Sequence, residues 1–232
     1  MAVFPSPALG LVTSPSPGDG KTATVVNLGA VYAQAGARVV IVSCDLRRPG
    51  LSQFFAPGEH ADLSAVLTGR QPLDEALSPA PSVDGLWTLG TRGSVGNPTE
   101  LLASQRMRSL VDELAKRFDI VLIDSPPVLP VADALILSSY ADAVLLVVSA
   151  GHTRKAELRH AAEKLGHASA PVVGAVLNKA MARDGYGYYG NYQAYVVPSA
   201  GASGHRLPRA AQNGAGQQDG LPLPSGPGRH GR

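Results

Sequence analysis

Apolar and polar residues follow one another along this chain in blocks rather than singly. Six short runs, over residues 9–13, 39–42, 86–89, 120–123, 143–148 and 172–177, are almost wholly apolar and rich in Val, Ile and Leu. Such runs predict strands covered on both faces, because a strand with one wet face alternates. Between them the period lengthens to that of a helix. Over 98–118, Leu101, Leu102, Met107, Leu110, Val111, Leu114 and Phe118 keep one stripe. Asn97, Pro98 and Glu100 open it as a cap, an N1 proline and a capping-box acid. Residues 21–35 predict a second long helix, and 62–67, 131–139 and 153–165 predict shorter ones. Strands alternating with helices imply crossover units and an α/β fold with a mostly parallel sheet.

The pattern stops at about Arg183, after which Gly, Tyr, Pro, Ser and Ala dominate. After Val197 almost nothing could contribute to a core. The expected organisation is a folded domain over 1–183, a tyrosine-rich segment over 184–197 and a disordered tail over 198–232.

Composition narrows the function classes. Hydrophobic residues make up 44% of the 232, enough for a buried core. The formal net charge of +2 gives nucleic-acid binding no electrostatic support. One cysteine, Cys44, excludes an internal disulfide and fits a reducing compartment. The start, Met1-Ala2-Val3-Phe4-Pro5, lacks the basic and apolar regions of a signal peptide. No apolar run reaches the roughly 20 residues of a spanning helix. The expectation is a cytoplasmic protein that meets a membrane only through a partner.

The chemistry begins where the first apolar run ends. Ser14-Pro15-Ser16-Pro17-Gly18-Asp19-Gly20-Lys21-Thr22 joins a predicted strand to a predicted helix. Glycines there let backbone N–H groups turn toward phosphate oxygens, and the helix N-terminus adds its positive end. This layout predicts an ATP site in which Pro17, Gly18, Asp19, Gly20, Lys21, Thr22 and Ala23 line the triphosphate. Lys21 would reach the β and γ phosphates, and the Thr22 hydroxyl would ligate Mg2+. Pro15 stands where the general pattern has its first glycine, so the strand–loop–helix context carries the assignment. Asp124 closes the apolar run over 120–123, at the strand end that faces a ligand crevice, and would hold magnesium through water. Asp45 follows the run over 39–42 and emerges at the same edge. It would bind the metal, accept a proton from an attacking hydroxyl, or pair with Arg47 or Arg48. Asp119 reads as a turn residue and Asp133 as a helix cap. His152, His160 and His167 have no partners at metal-ligand spacing, and Ser43 and Ser125 have none for a hydrolase triad.

Five of the seven tyrosines fall in one stretch: Tyr186, Tyr188, Tyr189, Tyr192 and Tyr195, interleaved with Gly185, Gly187 and Gly190. Exposed aromatic hydroxyls on a mobile segment are phosphate acceptors. Extended at about 3.3–3.6 Å per residue, the segment over 183–195 spans up to roughly 40 Å, enough to enter a neighbour's active site.

Together these motifs resemble the bacterial tyrosine kinases of capsule and exopolysaccharide assembly, the BY-kinase or CpsD/CapB family. The resemblance covers roughly residues 9–195 and includes Asn97-Pro98-Thr99-Glu100-Leu101-Leu102, Val131-Ala132-Asp133-Ala134-Leu135 and Val176-Leu177-Asn178-Lys179. It implies a doubly wound P-loop NTPase fold related to the MinD/ParA ATPases, and transfer of the ATP γ-phosphate to the tyrosine cluster between subunits of a homo-oligomeric ring. It also implies an adenine contact for Asn178 and a membrane activator, the chain-length co-polymerase, acting in trans. Two departures stand out. Ser43 replaces the first aspartate of the family's second aspartate motif, which removes one carboxylate from metal and acceptor handling. The first predicted strand begins by about Leu9, with no Glu-x-x-Arg-x-x-Arg ring helix ahead of it. Two other readings stay open: a MinD/ParA-like ATPase switch, and a pseudokinase scaffold that binds ATP without transferring its phosphate.

Overall fold

The Val- and Ile-rich runs assemble into a single sheet. A computed structural model describes residues 8–55, 62–81, 83–92 and 95–180. The tyrosine cluster from Tyr186 to Tyr195 and the tail over 198–232 lie outside the described residues. The strands are β1 (Ala8–Thr13), β2 (Val39–Ser43), β3 (Ser78–Pro79), β4 (Leu86–Leu89), β5 (Ile120–Asp124), β6 (Ala143–Ser149) and β7 (Val172–Asn178). Their order is β3-β4-β2-β5-β1-β6-β7, parallel throughout except for the short β3–β4 pair. The chain starts at β1, winds outward to β2, and later crosses to the other side of β1 to lay down β6 and β7. The order thus reverses at β1, and in doubly wound sheets ligands bind beyond the strand ends at such a point.

The helices are α1 (Lys21–Gln34), α2 (Leu63–Leu67), α3 (Leu73–Ala76), α4 (Pro98–Leu102), α5 (Gln105–Arg117), α6 (Asp133–Ser138) and α7 (Lys155–His167). Successive strand residues face opposite layers, which divides the core in two. Val39 and Ile41 join Val25 and Ala33 of α1, whereas Val40 and Val42 join Leu110, Leu114, Leu137 and Leu165 of α5, α6 and α7. Every residue of β2 and β5 is buried, as apolar strands covered on both faces require.

β7 departs from that expectation. It is the last strand of the order, and Val172, Val173 and Leu177 are exposed despite their apolar character. The helix expected over 98–118 also differs, forming α4 and α5 with a break at Ala103 and Ser104. Ser104 takes an extended backbone, and its Oγ accepts the Met107 N–H at 3.2 Å, which starts α5 afresh. The apolar stripe continues across the break because both helices present one face to the same core. Ser104→Ala is expected to lower stability by about 1 kcal/mol, the worth of an N-cap, in a urea titration. Asn97 stands at the cap position of α4, yet its side chain makes no cap bond. Its carboxamide donates to Glu100 Oε2 at 2.9 Å.

No helix among the described residues is long and apolar enough to cross a membrane.

Candidate phosphate and metal site

β1 runs into the glycine-containing loop, and the loop runs into α1, with Gly20 at the cap position. Gly20 has φ 101°, in the left-handed region that favours glycine. A second constraint acts on it: a Cβ there would stand 1.9 Å from Asn178 Nδ2. Residue 20 is therefore glycine for both its conformation and its contact with the end of β7.

The loop is fastened on three sides. Beneath it, the segment after β5 runs alongside, with the Ser125 N–H donating to the Val12 carbonyl at 3.2 Å and the Val128 N–H to that of Ser14 at 2.8 Å. Within it, Asp19 is fully buried; its Oδ2 accepts the Ser16 N–H and its Oδ1 the Thr153 hydroxyl, at 2.9 and 2.8 Å. Beyond it, Asn178 Nδ2 donates to the Asp19 carbonyl at 3.0 Å and Lys179 Nζ to the Gly18 carbonyl at 2.7 Å. The Asp19 carboxylate thus braces the loop, leaving contact with a phosphate to its backbone.

At the mouth of the loop four predicted residues converge. Lys21 and Asp45 form an ion pair at 3.6 Å, with side chains 10% and 7% exposed. The Thr22 hydroxyl donates to Asp124 Oδ2 at 2.8 Å. Asp124 ends β5 and is fully buried, and burial pushes its carboxyl up to about 6 against the pull of Lys21 and Thr22. Asp124 Oδ1 has no hydrogen-bond partner among the described residues. Nor has the buried Ser43 Oγ, although Ser43 is the register partner of Asp124 on the neighbouring strand. Gly50 packs over the site, where a Cβ would come within 3.1 Å of Thr22 Oγ1.

These donors fit magnesium. A buried carboxylate oxygen without a partner, a second carboxylate and a threonine hydroxyl form the oxygen set that a hard cation takes with substrate phosphates. Among the described residues no cluster of three or more His, Cys, Asp or Glu could hold a metal alone, so the triphosphate would supply the remaining ligands.

Of the three parts open to Asp45 the arginine pairing falls away, and Asp133 takes a part other than the expected cap. Asp45 pairs with neither guanidinium; its Oδ1 accepts the Arg48 backbone N–H at 3.0 Å, and its charge partner is Lys21. Asp133 caps no helix, because its carboxylate is fully buried and held from outside α6. It accepts Arg47 Nε at 2.8 Å and the Thr99 hydroxyl at 2.6 Å. Those bonds tie the Asp45 loop to the starts of α4 and α6. Asp119 stands just before β5, where a turn residue is expected, and accepts from the Arg38 N–H and guanidinium. Cys44 is buried next to Asp45 in the chain, and burial together with the Asp124 and Asp45 charges pushes its thiol far up.

The contacts of Thr153, of Lys179 and within the Arg47–Thr99–Asp133 group are not legible in the sequence. Thr153 and Lys179 lie 134 and 161 residues from the loop atoms they hold, and no spacing rule reaches that far.

Comparison with known proteins bears on this geometry. Residues 12–160 match the family model of an AAA domain. The tyrosine-protein kinase YwqD of Bacillus subtilis (strain 168) is 37% identical over 188 residues, covering 80% of this chain and 79% of that protein. Other tyrosine-kinase relatives are longer, and the chain spans 23% to 27% of their length. The crystal structure of the VpsO kinase domain aligns with a TM-score of 0.71 at 32% identity, over 75% of this chain and 85% of that one. The septum site-determining protein MinD of Pyrococcus horikoshii, complexed with Mg-ADP, aligns at 0.63 and 20% identity, over 73% of this chain and 69% of that one, a likeness of fold.

Proposed function

Because this chain belongs to the family of bacterial tyrosine-protein kinases, we propose that it transfers the γ-phosphoryl group of Mg-ATP to tyrosine hydroxyls of its own C-terminal cluster, Tyr186, Tyr188, Tyr189, Tyr192 and Tyr195. The observation that carries the proposal is the convergence of Lys21, Thr22, Asp45 and Asp124 at the mouth of one loop. The family resemblance extends it to the regulation of capsule or exopolysaccharide synthesis and export.

The geometry supports the following parts. The amides of the loop and the N-terminus of α1 take the triphosphate, and the phosphates replace Asp45 as partner of the Lys21 ammonium. Asp45, relieved of Lys21, turns its carboxylate to the metal or to the incoming hydroxyl. Thr22, Asp45 and Asp124 would hold Mg2+, which neutralises charge on the phosphoryl oxygens when bound. The tyrosine oxygen then bonds to the γ-phosphorus as the bridge to the β-phosphate breaks. ADP leaves, and Asp45 takes the phenolic proton. Asn178 has its carboxamide engaged at both ends, with the Asp19 carbonyl and the Lys179 N–H. A contact with adenine would fall to its second amide hydrogen.

The proposal divides the chain into a kinase domain over 1–183, an acceptor segment over 184–197 and a tail over 198–232. It places the protein in the cytoplasm, in a homo-oligomer, recruited to the inner face of the membrane by a co-polymerase partner. Each phosphotyrosine adds about −1.5 to −2 charges, so filling the cluster would set the tails against one another and favour dissociation.

A phosphotyrosine blot of the full chain incubated with Mg-ATP should show a signal. Changing all five cluster tyrosines to Phe should remove it while nucleotide binding persists. Silence from the unaltered chain, even with an activator's cytoplasmic peptide added, would sink the kinase reading. Turnover of ATP without phosphotyrosine would select the ATPase switch, and binding without turnover the pseudokinase.

A further inference from the structure

A phosphate-binding loop works only if its N–H groups point inward before the anion arrives. In a trans peptide the C=O and N–H of one plane point in opposite directions, so whatever holds a loop carbonyl outward aims the following amide inward. Two planes at the centre of this loop are held in that way by consecutive residues at the end of β7. Lys179 Nζ donates to the Gly18 carbonyl at 2.7 Å, which sets the Asp19 N–H. Asn178 Nδ2 donates to the Asp19 carbonyl at 3.0 Å, which sets the Gly20 N–H. Among the described residues the Gly20 N–H has no protein acceptor, as expected of a group kept for a ligand.

The holding residues are themselves fixed. Lys179 has φ 58°, a left-handed backbone that non-glycine residues seldom adopt. Asn178 Oδ1 accepts the Lys179 N–H at 2.8 Å and stabilises that turn. A strained conformation persists only where its surroundings determine it, and here it brings a lysine ammonium to the outer wall of the loop. We infer that Asn178 and Lys179 are positioning residues for the phosphate cradle, orienting its amides from behind to meet the triphosphate.

The inference rests on the reading of the loop as a nucleotide site, and inorganic tripolyphosphate separates the two because it carries the phosphates without adenine. Binding of tripolyphosphate and of ATP to the full chain would be measured calorimetrically with magnesium present. Asn178→Ala and Lys179→Met should each weaken both ligands by about tenfold, close to 1.4 kcal/mol. Lys179→Arg keeps a donor and should stay within about threefold of the unaltered chain. Loss of ATP affinity with tripolyphosphate untouched would overturn the inference in favour of a base contact. Variants that bind both ligands normally would overturn it outright while leaving the loop as the nucleotide site. If the unaltered chain bound neither ligand, the reading of the loop would fall as well. Should Asn178→Ala fail to fold, the exposed Lys179→Met carries the test alone.

Discussion

Lys21→Met is expected to weaken ATP binding by about 100-fold and to destabilise the ligand-free protein at the same time. The first effect follows from removing a buried cation, the only one at the mouth of the loop among the described residues, since charge-assisted hydrogen bonds to phosphate are among the stronger polar interactions. The second follows from the Lys21–Asp45 pair, whose side chains are 10% and 7% exposed. Removing one partner of a buried pair leaves the other charge uncompensated, at a typical cost of about 3–5 kcal/mol. Here the cost also reaches Asp124, whose buried carboxyl is drawn down by Lys21. The two effects separate by a second substitution. Lys21→Met with Asp45→Asn removes both charges of the pair, so its urea midpoint should recover most of the loss. Its ATP affinity should not recover. A Lys21→Met protein that bound ATP within tenfold of the unaltered chain would contradict this account of the loop.

The same balance bears on Ser43. It sits beside Asp124 on adjacent strands, both side chains buried, where the family pattern has another aspartate. A third carboxylate there would face one ammonium, Lys21, in a region with little water to screen it. The serine avoids that crowding, and the proposed metal handling would then rest on Asp45 and Asp124.

The candidate site could be read from the sequence where a residue's placement follows from its position on an element. Asp124 ends an apolar strand and Thr22 stands in the first turn of a helix after a glycine loop, and these positions alone point both at the crevice. Asp45 was legible for the same reason, although its ion pair with Lys21 was not, because that contact crosses from the end of β2 to the start of α1. The break at Ser104 was hidden because Leu102, Met107 and Leu110 all remain buried on either side of it. Periodicity reports which face is buried and is silent about a change of axis. Asp133 looked like a cap because it opens a helix. Its partners, Arg47 and Thr99, are 86 and 34 residues away, and only packing brings them together.

The pH dependence of stability isolates Asp124. Its carboxyl is raised by burial from the ordinary 3.8 to about 6 in the folded chain. Between those values the folded state keeps a proton that the unfolded state has lost, so stability falls as pH rises through the interval. The stabilisation from the protonated form is complete below about 4 and gone above about 6. A shift of this size corresponds to about 3 kcal/mol at one unit per 1.36 kcal/mol. Asp124→Asn stays neutral at every pH and should lack that fall, so the two proteins' urea midpoints should diverge between pH 4 and 7, with the variant the more stable at neutral pH. Mg-ATP should reverse the order. The metal needs the carboxylate, so ligand stabilisation of the unaltered chain should grow above pH 6, while the variant should gain little. Parallel pH profiles for the two ligand-free proteins would show that Asp124 is not the titrating group, and equal stabilisation by Mg-ATP would remove it from the metal site. The burial that makes Asp124 costly without a ligand would give its unpartnered oxygen a strong claim on magnesium in the proposed site. A site that loses stability to hold a charge ready can recover it only when its ligand binds.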